Sequence, residues 1–344
     1  MSGYDALAAK VRAMYGKRLR MSDFEHISTL RSEAEVLEYL RTQPGWKRAL
    51  SQLQESFVDR ARLETALKDE IREEYVALSH FIPRKDQFLL AFPVMLVELD
   101  ELLAALRRLA AHGRVKPAAA IPPRFLLHGK LDVQALARCG DYDGLVEAAR
   151  RTIYEKPLRR LRPEQPGALP DYTAAEVLLR STYYAALYQR IHKAYTGPEQ
   201  KVLLQSVGMQ VDLLNITHIL RLKRYFPGDS RYFSALFPFN YRLKPDMIQA
   251  LCAAEDDEAV FALLADSPYA RVFADRDVHS LEDYFQRTFA AFNHHQLTAG
   301  TPSVYTAIAY LHLKELEMRA LINDIECVKY GEPFDPYLAR LAGA

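Results

Sequence analysis

The chain has 344 residues, 49% of them apolar and 26% charged, which is typical of a globular protein of two or three domains. Only 14 glycines are present and the formal net charge is +1, which argues against a turn-rich all-β fold and against a general polyanion partner. The three cysteines, Cys139, Cys252 and Cys327, lie far apart, so they favour a reducing compartment and offer no metal-ligand spacing.

No targeting or membrane segment is predicted. The N-terminal stretch is polar with a helical pattern and lacks the apolar core of a signal peptide. The longest apolar run, 88–97, contains Pro93 and is half of the about 20 residues that a spanning helix needs. We therefore expect a soluble protein that reaches a membrane only through a partner.

Amphipathic patterns predict helices along the whole chain. In order, they cover 4–19, a short segment after Ser22, 33–46, 55–81 and 85–111, the last with a kink at Pro93. Three stretches, 112–130, 162–170 and 226–245, read as linkers because they are rich in proline, alanine or glycine. No β-branched alternation bounded by turns predicts a sheet.

An internal repeat is the most informative feature. Four landmarks recur three times in the same order: a helix-opening acid (Glu35, Asp143, Glu258), an aromatic residue 11 positions later (Trp46, Tyr154, Tyr269), a proline after a long helix (Pro83, Pro198, Pro302), and an acid within the next long helix (Glu98, Asp212, Glu317). Nine positions beyond these acids stand Arg107, Arg221 and, as an exception, Glu326. The pattern predicts an all-α protein with three pseudo-symmetric repeats, 1–120, 121–240 and 241–344, each built on a long antiparallel helix pair that turns at its proline.

Asp212 lies within a helix that is apolar on two faces, three residues before Asn215. A buried carboxylate needs a partner, so we interpret Asp212, with Glu98 and Glu317, as structural acids of the helix pairs. The alternative is that one of them is an active-site acid. Repeats usually diverge when one copy becomes catalytic, whereas these three acids keep equivalent places in separate helix pairs, so we favour the structural role.

Known catalytic and cofactor patterns were not found in the sequence. There is no phosphate-binding loop, no dinucleotide fingerprint and no nucleophile elbow. His312 and Glu315 are three apart on a helix and could share a metal, but a bundle metal site needs matching motifs on other helices. We predict no catalytic residue, no cofactor and no metal.

A basic segment spans 149–162 and contains Arg150, Arg151, Arg159, Arg160 and Arg162. Such a run can contact nucleic acid, an acidic protein partner or solvent alone. Because the total charge is close to zero and no reading motif accompanies it, we favour protein contact or solvation over nucleic-acid binding.

The ordered landmarks resemble one known family. The segments VDLLNITHILRLK at 211–223, LKELEMRALI at 313–322 and LEDYFQR at 281–287, with the helices at 4–19 and 33–46, resemble the V-type/A-type ATPase subunit called C in prokaryotes and d in eukaryotes. The resemblance covers essentially the whole chain. One departure is Ala320, where the family often has an asparagine three residues after the acid, and this puts a local hydrogen bond in doubt.

The resemblance implies a specific function. It implies three helical domains around a pseudo-threefold axis, forming a funnel on the cytoplasmic end of the membrane proteolipid ring, with one copy per complex. The funnel would receive the central shaft and couple ATP turnover to proton or Na⁺ transport without catalytic residues of its own. Two alternatives are a helical-repeat adaptor, which could bind nucleic acid through 150–162, and an α-helical enzyme, which would need a cavity with several titratable groups.

Overall fold

The computed structural model describes residues 3–343 apart from 52, 54–59, 112–128, 166, 226–235, 238, 277 and 279. All regular elements in these residues are helical, which confirms the all-α prediction. The predicted linkers at 112–130 and 226–245 lie largely outside the described residues. None of the described helices is long and apolar enough to span a bilayer.

Seventeen α-helices and one 3₁₀ segment, Arg84–Leu90, occur in the described residues. In chain order the α-helices are α1 Asp5–Tyr15, α2 Met21–Thr29, α3 Glu33–Thr42, α4 Lys47–Ser51, α5 Arg60–Ser79, α6 Ala91–Ala110, α7 Val133–Arg138, α8 Tyr142–Ala148, α9 Glu155–Arg160, α10 Tyr172–Ala194, α11 Gly197–Tyr225, α12 Pro245–Ala253, α13 Asp257–Leu264, α14 Ala270–Phe273, α15 Glu282–Thr298, α16 Val304–Tyr330 and α17 Tyr337–Ala342.

The chain divides into two compact units. The first consists of the described residues within Met1–Phe88 and Phe289–Ala344, and the second of those within Leu89–Ala120 and His128–Thr288. In the first unit, α16 packs against α1, α2, α3, α5 and α17. In the second, α6 and α11 both pack against α10, and α11 also packs against α12 and α13. The three sequence repeats are defined by recurring landmarks rather than by these units, and their boundaries stay a prediction.

Short helices begin at caps that the sequence provides. The side chains of Ser32, Asp141 and Asp256 each accept a hydrogen bond from the backbone N–H three residues on, which satisfies a free donor of the first turn. The three capped helices, α3, α8 and α13, are those that precede the aromatic landmarks. Each aromatic residue stands directly before the next short helix, α4, α9 or α14.

The three landmark prolines stand where one long helix gives way to the next. Pro83 lies between α5 and α6, Pro198 is the second residue of α11, and Pro302 precedes the capping Ser303 of α16. Helices α10 and α11 pack together. Helices α15 and α16 also touch, because the Tyr305 hydroxyl donates to the Asn293 amide oxygen at 2.8 Å.

The single kinked helix predicted over 85–111 is instead two elements, the 3₁₀ segment and α6. Pro93 therefore lies in the first turn of α6 rather than at a kink. Proline has no N–H to donate, and the first-turn N–H groups have no intrahelical partner in any case. Helix α6 therefore begins at a place where Pro93 removes no intrahelical hydrogen bond.

Candidate functional site

The carboxylate of Glu98 is buried on α6 and binds the backbone that leads into α7. Its Oε1 accepts N–H groups from Lys130 at 2.5 Å and Leu131 at 2.9 Å. One turn before Glu98, the carbonyl of Met95 accepts the Tyr154 hydroxyl at 2.7 Å. Helix α6 is thereby tied at two adjacent points to the α7–α9 cluster.

Asp212 is fully buried on α11 and accepts four hydrogen bonds. Oδ1 accepts from Tyr241 N at 2.8 Å, and Oδ2 accepts from Arg242 N at 2.6 Å, from Leu243 N at 3.2 Å and from the Tyr269 hydroxyl at 2.8 Å. Backbone amides and a hydroxyl therefore solvate this carboxylate in place of water. Three residues on, Asn215 accepts from Phe237 N at 2.9 Å.

Glu317 is buried on α16 and binds segments from the start of the chain. Its Oε1 accepts Leu19 N at 3.0 Å and the indole N–H of Trp46 at 2.8 Å. The buried Lys314 ammonium lies 3.3 Å from Oε2 and 3.6 Å from the centre of the Trp46 ring, where it also makes a cation–π contact. The position of Asn215 corresponds to Ala320 here, so the asparagine contact is missing in this copy.

The three acids make the same kind of contact. Each accepts N–H groups from the residues just before the first short helix of a cluster, α2, α7 or α12. The leucines in these contacts, Leu19, Leu131 and Leu243, are buried and equally spaced, 112 positions apart. The landmark aromatic of the same cluster binds the acid itself, as Trp46 and Tyr269 do, or the backbone one turn away, as Tyr154 does.

Burial shapes the acid–base properties of the aromatic partners. The pKa values of Tyr154 and Tyr269 are both raised well above the ordinary tyrosine value by desolvation, and Asp212 adds to the effect at Tyr269. Both hydroxyls therefore stay protonated at neutral pH and act as donors. We interpret the three carboxylates as structural, because backbone amides bind all three, and the Tyr269 hydroxyl and the Trp46 indole also bind Asp212 and Glu317.

The residues nine positions after the acids form a second recurring contact. Each of them contacts the first residue of a long helix. The Arg107 guanidinium carbon lies 4.9 Å from the centre of the Tyr172 ring. Arg221 forms an ion pair with Glu282, and Glu326 forms one with Arg60 at 2.5 Å. Glu326 looked like a lost basic position in the sequence. It is instead one half of an ion pair whose two charges are exchanged relative to Arg221–Glu282.

The five basic candidates lie around α8 and α9, and acids of the same cluster pair with three of them. Arg150 pairs with Glu147 at 3.0 Å, Arg159 with Glu155 at 3.1 Å, and Arg162 with Asp143 at 2.6 Å. Arg151 has a positive φ of 72°, and its backbone N–H donates to Glu155. Arg160, at the end of α9, is exposed. The charges of Arg150, Arg159 and Arg162 are therefore balanced within the cluster.

No group of three or more potential metal ligands occurs in the part of the chain that the structure describes. His312 and Glu315 stand 3.9 Å apart, but burial lowers the pKa of His312 to about 3. The imidazole packs edge-on against Phe289, with ring centres 4.3 Å apart. His312 is thus a neutral, half-buried side chain packed against an aromatic ring.

Sequence reasoning missed Lys314 and the role of Trp46. Lys314 is 3% exposed, which is rare for lysine, and it sits one turn before Glu317. The spacing of three was visible in the sequence. The burial of both charges was not, because it depends on a segment near residue 45 packing over α16.

The comparison with known families assigns the chain to the subunits of V/A-type ATPases. It belongs to the ATP synthase (C/AC39) subunit family, whose model matches residues 7–335. This confirms the resemblance drawn from the landmark segments. No curated protein matches the chain.

Proposed function

We propose that this chain is the non-catalytic central-rotor subunit of a V/A-type rotary ATPase. It is a socket between the central shaft and the membrane proteolipid ring, and it couples ATP turnover to proton or Na⁺ transport. It is present once per complex, on the cytoplasmic side, and is held at the membrane by its partners. Membership of the C/AC39 family supports the assignment to this machine.

The observation that carries the socket role is the recurring carboxylate contact. Glu98 and Asp212 each bind the short-helix cluster that follows their own helix in the chain. Glu317, near the C-terminus, binds the cluster near the N-terminus through Leu19 and Trp46. This order supports three repeats joined in a closed cycle, which would form a funnel.

A coupler between two rotor parts must resist twisting, and buried contacts of this kind provide stiffness. Each carboxylate is held by donors on a different element, so moving the element would leave a buried charge without its hydrogen bonds. A preformed socket also loses little ordering entropy when a shaft docks. All three carboxylates accept backbone N–H groups in these contacts, which supports a role outside catalysis.

Reconstitution of the whole machine tests this function. ATP turnover and ion transport are measured together with the chain, without it, and after adding it back. We expect the soluble head to hydrolyse ATP in all three cases, and transport to be lost without the chain and restored by it. Coupled transport at the full rate without the chain, or a head that needs it for hydrolysis, would overturn the proposal.

A further inference from the structure

The short helices form three clusters, α2–α4, α7–α9 and α12–α14. The second and third clusters align in sequence without a gap. From cap to aromatic residue, Asp141–Tyr154 and Asp256–Tyr269 have the same length. Their buried positions also correspond, with Val146 and Leu158 of one cluster matching Phe261 and Phe273 of the other. Any difference between their surfaces can therefore be assigned to specific positions.

A surface ion pair on the first two clusters is replaced by alanines on the third. Six and nine positions after the cap, Glu38 and Arg41 pair at 3.1 Å on α3. Glu147 and Arg150 pair at 3.0 Å at the same two positions of the second cluster. The equivalent residues of the third cluster, Ala262 and Ala265, are both exposed.

A second ion pair of the α8–α9 cluster is lost in the same way. Glu155 and Arg159 pair at 3.1 Å on α9, and the aligned residues are Ala270, which begins α14, and Ala274, which directly follows it. Four charged side chains are thus replaced by four alanines, of which Ala262, Ala265 and Ala274 are exposed and Ala270 is half-buried. Exposed positions of a helix normally carry polar residues, so a local concentration of small apolar ones indicates a contact surface.

The four alanines border an open groove of about 530 Å³ on the third cluster. Besides the alanines, its lining includes the buried Phe261 and Phe273 and the charged Glu258, Arg271 and Arg276. Arg276 lies over the Phe261 ring, 3.4 Å from its centre, and pairs with Glu258 at 3.0 Å. Two guanidinium groups against one carboxylate give the lining a net positive charge.

We propose that this alanine-lined groove is the docking surface for an acidic amphipathic helix of the central shaft. Apolar side chains of that helix enter the groove, where the alanines allow close approach, and its carboxylates meet Arg271 and Arg276. The inference rests on the proposed function. The shaft is the partner because, of the three clusters, the third alone has alanines where the other two carry an ion pair, whereas a ring of identical subunits would favour the same surface on all three.

The test restores the missing ion pair. The double variant Ala262→Glu/Ala265→Arg of the full chain places in the groove the charges that Glu147 and Arg150 carry on the second cluster. This pair keeps the net charge, and the second cluster carries it at the aligned positions. The matched control, Glu147→Ala/Arg150→Ala, removes the pair from the second cluster. Binding to the purified shaft subunits is measured by titration at several salt concentrations.

We expect wild type and control to bind alike, and the groove variant to bind about tenfold or more weakly, because an apolar contact centre dominates such interfaces. Arg271→Glu should weaken binding most at low salt. Equal binding by wild type and groove variant would overturn the groove assignment while leaving the rotor function intact. A wild-type chain that does not bind the shaft would instead contradict the proposed function. Self-association of the chain that the groove variant abolishes would assign the groove to a second copy and overturn the shaft assignment.

Discussion

The indole N–H of Trp46 donates a 2.8 Å hydrogen bond to the carboxylate of Glu317, although 271 positions separate the two residues. The same carboxylate holds the backbone of Leu19 and faces the buried ammonium of Lys314. These buried polar groups form hydrogen bonds and charge contacts with one another in place of water, so the contact acts as one unit. Its energy is therefore best measured by removing one partner at a time.

Glu317→Gln should lower the free energy of unfolding by about 3 kcal/mol, because it leaves the Lys314 ammonium buried beside a neutral amide. Adding Lys314→Met should recover part of this loss, since the uncompensated charge is then gone. Chemical denaturation of both variants measures the effect. If the double variant is less stable than Glu317→Gln alone, Lys314 gains its main support from elsewhere.

Asp212→Ala should destabilise the fold by roughly 3 kcal/mol, because three backbone N–H groups and the Tyr269 hydroxyl lose their acceptor. Tyr269→Phe is the graded control: it removes one donor and leaves the others, so we expect a loss of about 1 kcal/mol. Thermal melts of the two variants side by side test the ranking. Equal losses would mean that the backbone contacts of Asp212 contribute little.

The exchanged ion pairs predict a charge reversal. Arg221→Glu places two carboxylates together at Glu282 and should lower the melting temperature. The double variant Arg221→Glu/Glu282→Arg should restore it, because Glu326–Arg60 has that polarity at the corresponding place. Both side chains are about half exposed, so the coupling should stay below about 1 kcal/mol and shrink with salt. A double variant as unstable as the single one would contradict the equivalence.

Asp324 on α16 predicts a dependence of stability on pH. Burial, with a further contribution from Asp335, raises the pKa of this carboxyl from 3.8 to about 7. Its Oδ2 has no hydrogen-bond partner among the described residues. Between pH 4 and 7 the folded state holds a proton that the unfolded state has released, so this group makes stability fall as pH rises.

Asp324→Asn removes that proton dependence. We expect the variant to exceed wild type by about 2 kcal/mol at pH 8 and to match it below pH 4, where both side chains are neutral. Urea denaturation across this range provides the measurement, and Asp335→Asn controls for the neighbouring charge. A constant difference between variant and wild type at all pH values would show that Asp324 titrates normally.

Much of the local structure followed from the sequence. The prolines at the helix junctions and the apolar periodicity of α11 act over a few residues, so their consequences are visible in the one-dimensional pattern. The family was recognisable for the same reason, because its landmarks are local segments in a set order. Pro93 was misjudged since a proline near a helix start and one at a kink have the same local signature.

Only the tertiary structure decided which groups meet. A burial pattern predicts that Asp212 needs donors, but it cannot say that they are the amides of 241–243, because these lie 29 to 31 positions away. Likewise, Glu326 alone looks like a broken repeat, and only its contact with Arg60 shows an exchanged pair. The sequence by itself determined the helices and the presence of buried acids, since both arise from local spacing. The fold determined the partners of those acids, because hydrogen bonds and charge pairs between distant segments depend on distances that packing alone sets.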